Sequence, residues 1–211
     1  MQRLLVFLAI LVVSVMSSAC INNFAIQELN TKAKEYLDKG DYDEAIKRLE
    51  SSVDLDGSIY EARYNLAVAY VHKEEFAKAV VQLNEAIKLN AQNPDAYYTL
   101  GVALEGLANS KITDEAKNCE ESPSGCEDKV SEDNEFSVSF KTADDAKYTI
   151  DKLDEAIEAY KKYLNIAGIP EDAEKVNAHI KDLEDDKNSY QKEYEAMMNP
   201  LSGDNQNADL N

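Results

Sequence analysis

The spacing of apolar residues along this chain is helical rather than alternating. In the second half, Ala146, Ile150, Leu153, Ile157, Tyr160 and Leu164 follow one another at steps of four and three, which places them on one stripe of a helix. Thr142 stands three residues before Asp145, the spacing of a capping box, and Gly168 is placed to end the helix. Pro170 is suited to open the next helix, with Val176, Ile180, Leu183, Tyr190 and Tyr194 along one stripe and charge elsewhere.

The first half is periodic on a longer scale. Ala33, Ala67 and Gly101 are 34 residues apart in succession, as are Tyr36, Tyr70 and Leu104. A second series pairs Tyr42 with Phe76, Ala45 with Ala79, Leu49 with Leu83 and Ser52 with Ala86, again 34 apart. Small residues at fixed places let antiparallel helices approach, and aromatic or Leu residues a turn away fill the spaces left between them. A repeat of two helices is predicted.

These residues, and the turn Gly40-Asp41-Tyr42-Asp43-Glu44-Ala45-Ile46, resemble the tetratricopeptide repeat. The resemblance runs through residues 26–108, implies units starting near Ile26, Tyr60 and Pro94, and resumes at Leu153, Ala156 and Tyr160. It implies an all-α, tetratricopeptide-type helical-repeat solenoid of about three repeats, the third split by an insert, with a capping helix at its C-terminal end. From Leu104 to Ala156 is 52 residues, where Tyr36 to Ala45 is 9. The insert, residues 109–141, carries the acidic run Glu127, Asp128, Glu132, Asp133 and Glu135 and reads as an exposed loop. Within it Phe136, Val138 and Phe140 alternate with serines at the period of a strand. Either these residues pack back onto a helix, or they form an edge that pairs with a partner strand. The long helix and capping helix occupy residues 142–198, with Asp182, Glu184, Asp185 and Asp186 giving the cap a polar outer face. Residues 199–211 lack periodicity and read as a disordered tail.

Composition adds direction. Few Gly and Pro residues and no Trp argue against a turn-dense β fold, and a formal charge of −19 makes nucleic acid an unfavourable partner. Anionic lipid would also repel such a surface, so residence at a membrane would need an anchor. The amino terminus supplies a candidate. Arg3, an apolar run from Leu4 to Met16 and the small residues before Cys20 form an export signal over residues 1–19, too short for a membrane span. Ser17-Ser18-Ala19-Cys20 resembles the lipobox of bacterial lipoproteins, which implies a lipid on Cys20 and a short tether over residues 20–25. Ile21 after that Cys weakly favours the outer membrane, periplasmic face. Cleavage by ordinary signal peptidase would instead give a soluble secreted protein. Cys119 and Cys126 flank a turn-prone spacer and are expected to pair as a disulfide, which leaves Cys20 over for lipidation.

No motif for catalysis, metal or cofactor binding emerges, so the chain is read as a non-enzyme. His72 and His179 read as packed or solvated imidazoles, and Asp54-x-Asp56-Gly57 as a turn rather than a calcium loop. The resemblance instead implies a concave groove lined by the first helix of each repeat. By repeat position its partner-binding residues are Asn30, Lys34, Glu61, Tyr64, Asn65, Val68, Asp95, Tyr98, Thr99 and Val102. Some family members clamp a terminal carboxylate with Lys, Asn and Arg. Only Asn65 matches, and Asp95 and Thr99 stand where basic residues would be needed. The expected function is a non-catalytic adaptor that binds other proteins or peptide segments at the envelope. A factor for assembling outer-membrane or pilus complexes is the alternative.

Overall fold

The computed structural model describes residues 23–112 and 140–199. The expected leader and Cys20, the Cys119 and Cys126 pair, Phe136, Val138 and the tail from residue 200 lie outside the described residues. Among the described residues there are seven helices and no strand: α1 (23–38), α2 (Tyr42–Leu55), α3 (Tyr60–His72), α4 (Phe76–Leu89), α5 (Pro94–Asn109), α6 (Ala143–Ala167) and α7 (Ala173–Met198). The expected repeat starts at Tyr60 and Pro94 are the first residues of α3 and α5. None of the described helices is long and apolar enough to cross a membrane. The chain divides into two compact units, one up to Ala96 and one from Tyr97 onward.

In the first unit the 34-residue pattern is the packing pattern. Ala45 and Ala79, Leu49 and Leu83, and Ser52 and Ala86 are all fully buried, on α2 and α4 respectively. Between them α3 packs against both helices and buries Ala62, Leu66, Ala67, Ala69 and Tyr70. Small side chains at Ala33, Ala45, Ala67 and Ala79 permit close helix approach, and the leucines fill what remains. The turn from α1 into α2 uses Gly40 in the left-handed region, φ +74°, and Asp41 as N-cap, its Oδ1 accepting from the Glu44 amide at 3.3 Å. The turn between α2 and α3 is closed by Asp56, whose carboxylate accepts from the Ser58 amide at 2.9 Å and from the Ser58 hydroxyl at 2.6 Å. Of the segment Asp54-x-Asp56-Gly57, Asp54 thus belongs to the end of α2, and Asp56 and Gly57 form the turn.

The second unit packs α6 and α7 together with the Tyr97–Asn109 part of α5. Ile150, Leu153, Ile157, Tyr160 and Tyr163 of α6 meet Val176, Ile180, Leu183 and Tyr190 of α7 in one apolar cluster. Thr142 caps α6, its Oγ1 accepting from the Asp145 amide at 3.1 Å, and Gly168 ends the helix at φ +80°. Buried Thr149 donates to the Ala108 carbonyl at 3.2 Å, tying α6 to α5. One difference from the sequence reading has a physical cause. Helix α7 starts at Ala173, three residues after Pro170, because Pro170 sits in a turn whose carbonyl accepts from the Ala173 amide at 3.0 Å. Phe140 forms no strand edge. It is buried in this cluster with its ring edge-on to Tyr190 at 5.2 Å, and its amide donates to the Glu193 carboxylate at 3.2 Å, so it follows the packing alternative.

Candidate functional site

The residues expected to bind a partner lie on the first helix of each repeat. In the first unit, Glu61, Tyr64, Asn65 and Val68 occupy one face of α3 at steps of three, one and three, and none of them is buried. The opposite face carries Ala62, Leu66 and Ala69 into the core. On α1, Lys34 is exposed and Asn30 half-buried, and Asp95 is exposed in the first turn of α5. Tyr64 does not stand alone, since its ring stacks on Tyr60 at 5.8 Å within α3. Burial, and after it the charge of Tyr64, Asp95 and Glu61, pushes the Tyr60 hydroxyl well above the usual tyrosine range.

In the second unit, Tyr98, Thr99 and Val102 share a face of α5, with Tyr98 40% exposed and the other two half-buried. Tyr98 is set between two tyrosines of α6, Tyr160 at 5.5 Å and Tyr163 at 5.3 Å, each inclined at nearly 70° to it. Those two are anchored in turn. The Tyr160 hydroxyl donates to the Glu105 carboxylate on α5, and the Tyr163 hydroxyl donates to Asp172 at 2.7 Å, just before α7. Asp172 is the N-cap residue of α7 but makes no side-chain cap there. The same Glu105 oxygen lies 2.9 Å from His179 Nε2, and the imidazole stands edge-on to Tyr160 at 5.4 Å. A carboxylate only accepts, so Nε2 carries the proton in this contact. Burial first, and then the bond to Glu105, hold the Tyr160 hydroxyl far above the usual tyrosine range.

This cluster of Glu105, Tyr160, Tyr163, Asp172 and His179 is structural chemistry, with each polar group matched by another. His72 is exposed and stacks on Tyr42 at 4.4 Å. Among the described residues no group of three or more His, Cys, Asp or Glu is placed to hold a metal ion. The Tyr160 network was not visible in the repeat pattern, although one signal pointed to it. Tyr160 stands four residues after Ala156, where Leu49 follows Ala45 and Leu83 follows Ala79.

Residues 30–94 match the family model of the tetratricopeptide repeat. The fold is a tetratricopeptide-repeat fold. Solved structures similar to it include the TPR domain of Arabidopsis OM64, with 14% identity and a TM-score of 0.53, covering 76% of this chain and 98% of that one. The first TPR domain of human RPAP3 shares 21% identity at a TM-score of 0.51, covering 77% of this chain and 94% of its own. The second TPR domain of human RPAP3, solved in complex with the HSP70 peptide SGPTIEEVD, shares 16% identity at a TM-score of 0.51, covering 76% and 98%. No protein of curated function matches the sequence.

Proposed function

We propose that this tetratricopeptide-repeat protein is a lipid-anchored adaptor of the bacterial envelope that binds segments of other proteins through the first helices of its repeats. The observation that carries the binding part is the face of α3. A helix whose other side fills the core leaves Glu61 exposed and Tyr64, Asn65 and Val68 half-buried, a mixture of aromatic, polar and charged groups suited to polypeptide recognition. A protein of the same fold, the second TPR domain of human RPAP3, holds an HSP70 peptide, which supports the reading at the level of fold. That peptide is acidic. This chain has a net charge of −19, with Asp95 and Thr99 in the clamp positions, so its ligands are neutral or basic.

Anchoring rests on the leader and Cys20. Labelled fatty acid should enter the wild-type protein and be absent from Cys20→Ser, and wild-type protein that takes up no label and leaves the membrane in salt would remove the anchor from this reading. Binding is tested by a photo-crosslinking residue at position 64 in intact envelopes, which should capture a polypeptide. The adaptor reading fails if no polypeptide is crosslinked there. It fails equally if captured partners bind unchanged to a Tyr64→Ala/Tyr98→Ala protein that remains helical.

A further inference from the structure

Several tyrosines of this chain lie under cations supplied by the chain itself. Lys39 and Arg48 stand over the Tyr36 ring at 5.8 and 6.0 Å, Lys78 over Tyr70 at 5.2 Å, and Lys111 and Lys152 both over Tyr148 at 5.7 Å. Each contact sets positive charge against the negative face of a ring. Tyr98 is set apart by its exposure: it is the most solvent-exposed of the described tyrosines, and among the described residues no cation stands over its ring.

Its surroundings favour a cation from elsewhere. Tyr160 and Tyr163 are buried and hold the Tyr98 ring in place through edge contacts, so a ligand meets a ring already oriented. Both supporting hydroxyls donate to carboxylates, Glu105 and Asp172, which puts negative charge behind the aromatic shelf. The chain as a whole carries nearly two acidic residues for every basic one, which draws in cations and repels anions. We propose that Tyr98 seats an arginine or lysine side chain of a partner polypeptide. Arginine fits better, because its planar guanidinium stacks on a ring face and sheds water more readily than an ammonium. Thr99 and Val102 on the same face of α5 extend the contact to the neighbouring residues of the partner. The assignment depends on the adaptor reading and narrows it, since it names what Tyr98 takes.

The test uses the full chain with tyrosine rings isotopically labelled, titrated at 0.3 M salt with three peptides, Ala-Gly-Ser-X-Ser-Gly-Ala, where X is arginine, lysine or citrulline. Citrulline keeps the shape of arginine without its charge. The arginine peptide should shift the Tyr98 ring signals and bind roughly threefold to tenfold more tightly than the citrulline peptide, with lysine between. Tyr98→Phe, which keeps the ring face, should preserve that preference, and Tyr98→Leu should abolish it while the protein stays helical. Equal binding of arginine and citrulline peptides, no binding of any of the three, or a preference that survives Tyr98→Leu overturns the proposal. If that happens while a partner is still crosslinked at position 64, the Tyr98 assignment falls and the adaptor reading stands.

Discussion

Gly101 and Tyr160 form a single packing solution. Where the first two repeats place Ala33 or Ala67 on the first helix and Leu49 or Leu83 on the second, the third has Gly101 and Tyr160. A Cβ on Gly101 would lie 2.6 to 2.8 Å from three atoms of the Tyr160 ring, a ring that is fully buried and fixed by Glu105. Gly101→Ala should therefore cost about 1 to 3 kcal/mol by overpacking, even though alanine in a helix ordinarily gains about 0.5 to 1 kcal/mol over glycine. Gly101→Ala/Tyr160→Leu, which restores the combination of the earlier repeats, should recover part of that loss. Urea unfolding measures both, and a Gly101→Ala protein as stable as wild type would show that the ring can move aside. The small residue was legible as a repeat position. Its partners were not, because Glu105 and His179 reach Tyr160 and each other across 55 and 74 residues of chain and no local spacing records such a meeting.

At the scale of elements, the helix ends repeat as faithfully as the cores. Gly40 closes α1 at φ +74°, and 34 residues later Glu74 closes α3 at φ +58°, where a side chain costs roughly 1 to 2 kcal/mol. Glu74→Gly should raise stability by about 0.5 to 1 kcal/mol once the extra freedom of glycine in the unfolded chain is subtracted. Gly40→Ala should lower it. Thermal melts followed by circular dichroism distinguish the two directions, and equal effects would mean the turns are not equivalent. At the start of α6, Thr142→Ala should cost about 1 kcal/mol. The Thr142 hydroxyl, with help from Lys111, holds the Asp145 carboxyl below its ordinary value of 3.8. The stability this contributes is present above that pH and is lost as pH falls below it, so Thr142→Ala should flatten the acid limb of the stability curve. The Thr142 cap and Gly168 stop were readable because capping depends on residues within one turn. For Phe140 the sequence left two alternatives open, since alternation among serines mimics a strand, and contact with Tyr190 and Glu193 on α7 selects packing. On α3, Glu61, Tyr64, Asn65 and Val68 were readable from repeat position, whereas the Tyr163–Asp172 bond behind Tyr98 was not.

For the molecule as a whole, buried tyrosine is the common thread of both units. Burial pushes the hydroxyls of Tyr60, Tyr70 and Tyr160 well above their ordinary value and that of Tyr190 up to about 12. The folded state thus keeps these protons to a higher pH than the unfolded chain does. The stability linked to them is complete below pH 10, the ordinary tyrosine value, and drains away as pH rises above it. A cooperative alkaline unfolding should accompany the appearance of tyrosinate absorbance between about pH 10 and 12, and tyrosinate forming gradually with helicity intact would contradict this account. The hydroxyls that donate to carboxylates, Tyr70 to Glu50, Tyr160 to Glu105 and Tyr163 to Asp172, have one more effect. With twelve tyrosines and no tryptophan, the chain emits ultraviolet light from tyrosine alone. A phenol bonded to a carboxylate loses its excited-state energy without emission, so the folded protein should be dim and brighten as it unfolds, a built-in lamp for following its own folding without any added dye.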